Sequence, residues 1–165
     1  MALTYPLEQL LSIKKNRLDQ AIKILDEKKL LLQKAQDQLR AATQQRDQVR
    51  AHKVAKLQQL RETLDEGAST DKIQQMKAYL KLVDGQLTEK EKKVQEQQKQ
   101  VTLAQKQVDL AAEEVRQKRI DLEKLTLHKE EWSKEVRTWI ERKEEVEHDE
   151  QGTISHMRKK KDEQR

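Results

Sequence analysis

Eight apolar residues stand at successive seven-residue intervals: Ile73, Leu80, Leu87, Val94, Val101, Val108, Val115 and Leu122. With hydrophobic residues at only 34% of the chain, chance does not produce such a run. A seven-residue apolar repeat keeps one seam of an α-helix turned toward a partner along its length, which is the pattern of a coiled coil. Lys129 interrupts the series and Val136 resumes it. Companion positions three residues further on include Met76, Val83, Ala104, Ala111, Leu125, Trp132, Trp139 and Val146. An earlier series has the same interval: Leu11, Leu18, Leu25, Leu32 and Leu39, with Ala21, Ala35, Ala42 and Val49 as companions. Beyond it, Arg46 to Leu57 and Val49 to Leu60 are steps of eleven. That spacing predicts a four-residue stutter before the segment closes on Leu57, Leu60 and Leu64.

Between the two series lies Asp65-Glu66-Gly67-Ala68-Ser69-Thr70-Asp71. Gly67 suits the left-handed position after a helix end, and Ser69 or Thr70 suits the cap of the next helix. So short a connection makes the two helices antiparallel neighbours. The fold class is therefore all-α, a long antiparallel two-helix coiled-coil hairpin with a longer second helix. The divisions are 1–66 for the first coiled-coil helix, 67–70 for the tip turn, and 71–150 for the second helix with its C-terminal overhang. Residues 151–165 read as a disordered charged tail. Asp84-Gly85 is a competing break, but the repeat passes through it from Leu80 to Leu87, and one glycine in a helix costs only ~1 kcal/mol. Folding back at residue 68 places Leu57 near Leu80 and Leu7 near residue 130. Trp132 and Trp139 then fall in the overhang, with no first-helix residue to cover them.

Composition narrows the function classes. Charged residues make up 39%, aromatic residues 2%, and Phe and Cys are absent. Such a chain has too few large apolar side chains to fill a compact interior around an enclosed active site. Without Cys there is no disulfide framework and none of the commonest zinc sites. No stretch approaches ~18 uncharged apolar residues and the start lacks a signal-peptide pattern, so a soluble cytoplasmic protein without direct membrane insertion is expected. The net charge is +5, but acidic residues are mixed among the basic ones throughout. With no aromatic platform for bases, that pattern speaks against nucleic acid as partner. There is no phosphate loop, zinc pattern or calcium loop, and His52, His128, His148 and His156 have no ligand spacing. His128 and Glu130 read as residues of a solvated helix. No catalytic residue, cofactor or metal is assigned.

The residues left over are apolar ones outside the seam. Leu103 and Leu110, Ile120 and Leu127, and Ile24 and Leu31 either widen the hairpin's own apolar stripe or form a docking surface. For Trp132 and Trp139, contact with a partner is the stronger reading, since tryptophan is enriched among interface anchors; the competing one is that they close the hairpin against Tyr5 and Leu7 purely as structure.

The chain begins Tyr5-Pro6-Leu7-Glu8-Gln9-Leu10-Leu11-Ser12-Ile13-Lys14-Lys15-Asn16-Arg17-Leu18-Asp19-Gln20-Ala21. Lys/Arg-bearing heptads, a mid-chain turn, a longer second helix, an acidic stretch and a charged tail follow. This organisation resembles the FliJ/YscO family of type III secretion central-stalk proteins, and within it most resembles the chlamydial member. The resemblance implies a non-enzymatic stalk, like the gamma subunit of a rotary ATPase. Its helix ends would enter the pore of a hexameric secretion ATPase, and its tip would point toward the cytoplasmic ring of the export gate. Handling of secretion chaperones is also implied, at the cytoplasmic base of the apparatus. On that reading Leu7, Leu10, Leu11, Leu18, Trp132, Val136 and Trp139 form an apolar collar that meets the ATPase. Tyr79, off the main seam in the tip half, would meet the gate. Alternatives are a generic coiled-coil scaffold, a prefoldin-like holdase and, less favoured, a nucleic-acid-binding coil.

Overall fold

The computed structural model describes residues 4–162, with side chains through residue 160. They form two α-helices, α1 (Glu8–Asp65) and α2 (Thr70–Asp162), packed against each other as an antiparallel hairpin with the second helix longer. Contacts divide the described residues into two units, residues 22–114, which hold the turn, and residues 4–21 with 115–162, which hold the open end.

The turn is built from its sequence. Gly67 has φ 78°, in the left-handed region that costs an L side chain strain. Ala68 N–H donates to Thr63 O (3.2 Å) and Gly67 N–H to Leu64 O (3.1 Å), the paired bonds of a Schellman motif. Ile73 N–H donates to Ser69 O at 3.2 Å, so Ser69 stands at the N-cap position of α2 and Asp71 in its first turn.

In the unit around the turn, the most buried side chains are Val83 (1% exposed), Ala42, Leu60, Thr63 and Ala111, with Leu80 and Val108 close behind. Ile73, Leu87, Val94 and Val101 on α2 and Leu25, Leu32 and Leu39 on α1 are half-buried, as a seam between only two helices leaves its residues. α2 passes through Gly85 unbroken, and Thr88 donates its hydroxyl to Asp84 O at 3.0 Å within the helix.

The stutter expected in α1 is absent. Buried or half-buried positions continue in unshifted heptads through Arg46, Val49, Lys53, Lys56, Leu60 and Thr63, while Leu57 and Leu64 are exposed. Long basic side chains make this possible, because their aliphatic stems lie along an apolar groove while the charge reaches its rim. Lys53 pairs with Asp84 across the hairpin, and Arg50 with Glu91 at 3.2 Å. Thr63, also on the seam, donates its hydroxyl to Gln59 O at 2.8 Å. The phase has a direct check. Leu60→Ala is expected to cost about 2–4 kcal/mol, as a core truncation does, and Leu64→Ala less than about 1 kcal/mol. Equal losses in urea unfolding would restore the stutter.

In the open-end unit, the buried residues are Tyr5 (6% exposed), Ala21 and Val115, with Leu122 half-buried. Here the expectation of a disordered tail from residue 151 is corrected: α2 continues through Gly152 to Asp162, and residues 163–165 lie outside the described residues. Gly152 costs only ~1 kcal/mol in a helix, and the basic residues from Arg158 onward favour the helix C-terminus, where the dipole is negative.

Candidate interaction surfaces

At the open end, the chain enters α1 through a turn. Glu8 N–H donates to Tyr5 O at 3.2 Å across Pro6 and Leu7, with proline where its fixed φ suits a turn's second residue. Leu7 O then accepts from Leu11 N–H at 3.0 Å, and Glu8 supplies an acidic side chain to the first helical turn.

This turn folds Tyr5 onto α2. Its hydroxyl and His128 Nδ1 share a hydrogen bond of 2.6 Å. Its ring lies 5.4 Å from the Trp132 ring, tilted by 59°, and 5.8 Å from that of His128. Lys129 Nζ sits 6.0 Å from the Tyr5 ring centroid and 2.7 Å from Glu8 Oε2. Further along, Lys14 Nζ approaches Asp121 Oδ2 at 3.3 Å. Exposed ion pairs of this sort are worth about 0–1 kcal/mol each, so the buried ring carries more of the local energy than the charges do.

One reading is corrected by this geometry. Trp132 was expected to lack an intramolecular partner, but Tyr5, upstream of α1, covers it; the helix had run out, whereas the chain had not. His128 is exposed, as a residue of a solvated helix is, and in addition bonds the buried tyrosine. The collar therefore divides. Leu11, Leu18, Trp132 and Val136 are half-buried along the seam, whereas Leu7, Leu10 and Trp139 are exposed, Trp139 at 57% with Lys143 Nζ 5.6 Å from its ring centroid. Closure against Tyr5 was the competing reading for the tryptophans, and it is the one that holds for Trp132. Its signal was the i, i+4 pair of His128 and Trp132 on one face of α2, opposite the fold-back position of the N-terminal segment.

Tyr79 lies in the other unit and is 43% exposed. Its hydroxyl is 2.9 Å from His52 Nε2, the two rings meet edge to face, and Lys56 Nζ lies 5.8 Å from its ring centroid. It lines a groove of about 290 Å³ with Lys56, Gln59, Lys72, Gln75, Met76 and Leu80. Tyr79 is thus held in place while one face stays open, a geometry suited to protein contact.

Among the described residues, no group of three or more His, Asp or Glu side chains could hold a metal ion. No helix there is long and apolar enough to cross a membrane.

The hairpin can be set beside known proteins. The structure described as that of a YscO homologue, CT670, from Chlamydia trachomatis superposes with a TM-score of 0.90 at 45% identity, covering 97% of this chain and 99% of that one. A chain in the structure of the Chlamydia pneumoniae CdsV and CdsO protein complex is 43% identical, with a TM-score of 0.48, over 50% of this chain and 96% of that one. No curated protein matches. The YscO-like family matches residues 2–162, and the chain belongs to that family.

Proposed function

We propose that this YscO-like protein is the non-enzymatic central stalk and coupling factor of a type III secretion export ATPase. It links the hexameric ATPase to the cytoplasmic ring of the export gate and escorts secretion chaperones, at the cytoplasmic base of the apparatus. Family membership supports the association with a secretion ATPase. The observation that carries the finer reading is the chemistry of the open end, where Leu7, Leu10 and Trp139 remain exposed around an ordered aromatic anchor. A stalk acts on its ring only if it binds one subunit arrangement better than another, so exposed anchors must supply differential binding free energy.

The test is stimulation of the cognate ATPase. An aromatic anchor at an interface centre is worth ~2–4 kcal/mol, or roughly 30- to 1,000-fold in affinity. Trp139→Ala combined with Leu7→Ala is expected to abolish stimulation at micromolar stalk while leaving helicity and melting nearly intact. Unchanged stimulation would remove the open end as the seat. At the other unit, Tyr79→Ala is expected to weaken binding of the isolated gate ring about tenfold, with ATPase stimulation retained. Loss of stimulation with gate binding retained would reverse the orientation proposed for the hairpin.

A further inference from the structure

Among the described residues, the last ring contact of α2 with the N-terminal segment is at Trp132, yet α2 runs on to Asp162. Beyond that contact the heptad continues. Trp139, Val146 and Met157 fall in phase with Val136, with Ile154 one residue beside the seam, and the four are 57%, 57%, 66% and 52% exposed. About three heptads of coiled-coil seam therefore stand without a partner from their own chain.

Charge along this stretch is divided at one point. Residues 141–150 carry six carboxylates and two cations, whereas residues 153–161 carry four cations and no carboxylate. The boundary falls at Gln151-Gly152, and Gly152 has open space where a Cβ would be. A segment with one acidic half and one basic half is complementary to itself when reversed. Two copies laid antiparallel across Gly152 set each acidic half on the other's basic half and bring Val146 of one opposite Met157 of the other. A parallel pair would set like charge on like. The antiparallel contact is isologous, so it closes at two copies.

We infer that the 141–162 segment of α2 is a self-association site, pairing two copies of this chain antiparallel about Gly152. The seam is only about 33 Å long at 1.5 Å per residue, so the dimer is weak and reversible. The inference does not depend on the stalk function and concerns the free protein. Any ligand that covers Trp139 and Val146 competes with it.

The chain has no native cysteine, which makes the geometry directly testable. Val146→Cys and Met157→Cys are purified separately and oxidised alone and mixed, with circular dichroism as a folding control. A disulfide needs Cβ atoms within about 3.5–4.5 Å, so it reports register. The mixture is expected to cross-link between the two variants while neither cross-links to itself. Raising salt from about 0.1 M to about 1 M shortens the screening length from ~10 Å to ~3 Å and should lower the yield several-fold. Arg158→Glu with Lys160→Glu in the Met157→Cys chain should abolish the cross-link. Glu144→Lys with Glu145→Lys in the Val146→Cys chain should restore it. Self-linking of each variant would mean a parallel pair and overturn the proposal. So would no cross-link in the mixture at about 0.1 mM, or a yield indifferent to charge reversal.

Discussion

Val83→Asp is expected to remove most of the stability of residues 22–114. Val83 is the most buried large side chain among the described residues, at 1% exposure. A carboxylate there would lose its hydration, and Lys53, the cation across the seam, is already paired with Asp84, so the cost is several kcal/mol. A domain's whole margin is only about 5–15 kcal/mol. The neighbouring Leu82 is 67% exposed, so Leu82→Asp should stay within about 0.5 kcal/mol of the parent. Thermal melts followed by circular dichroism distinguish the two. Similar melting temperatures would mean that the seam does not pass through Val83.

Tyr5→Ala is expected to open the other unit. Truncating a buried aromatic side chain costs about 3–5 kcal/mol, and here it also uncovers the Trp132 ring. Tyr5→Phe keeps the ring and loses the hydroxyl bond to His128, which should cost only about 0.5–1.5 kcal/mol. In a Trp139→Phe background the remaining tryptophan emission reports Trp132 alone. That emission should shift to the red in Tyr5→Ala and stay near its parent position in Tyr5→Phe. Far-UV ellipticity should change little, because most of both helices lies elsewhere. An unshifted spectrum in Tyr5→Ala would mean that Tyr5 does not cover Trp132 in solution.

How far the fold could be read from sequence differed between the helices. On α2, apolar residues fill every first seam position from Ile73 to Leu122, so period and phase are both visible. On α1 the same period runs on through Arg46, Lys53 and Lys56, and a reading that equates seam with apolar loses it there. Leu57 and Leu64 then attract the pattern one position away from where Lys56 and Thr63 hold it. The difference lies in the amphipathic stem of lysine and arginine, which occupies a half-buried position that hydropathy scores as polar.

The open end was legible as a place and not as a structure. Counting back from Gly67 puts residue 7 near residue 130, and the Glu8–Lys129 pair lies where that count points. Counting along helices cannot show that Tyr5, before the first helical turn, would fold inward onto Trp132. That outcome depends on the turn at Pro6 and on the hydrogen bond to His128, both properties of one local conformation rather than of a repeat. The helical course of residues 151–162 was hidden for a different reason. Gly152 and the loss of leucine and valine heptads resemble a helix stop, but none of residues 151–157 is proline and the good helix formers Arg158 to Lys161 follow, so the helix continues.

The Tyr5–His128 bond also bears on the order in which the chain folds. Its partners are 123 residues apart in sequence, whereas the Schellman bonds at Gly67 join residues three and five apart. Closing a flexible loop costs entropy that rises as about (3/2)RT ln n, so the long closure is far less favourable than the short one in an unfolded chain. A hairpin avoids that cost by zipping from its turn, each new pair of facing residues closing only a small additional loop. Residues at the turn therefore nucleate, and the Tyr5 cluster is the last link to form. By microscopic reversibility it is also the first to part, so the end proposed to meet the ATPase can unlatch and reclose while the turn stays folded.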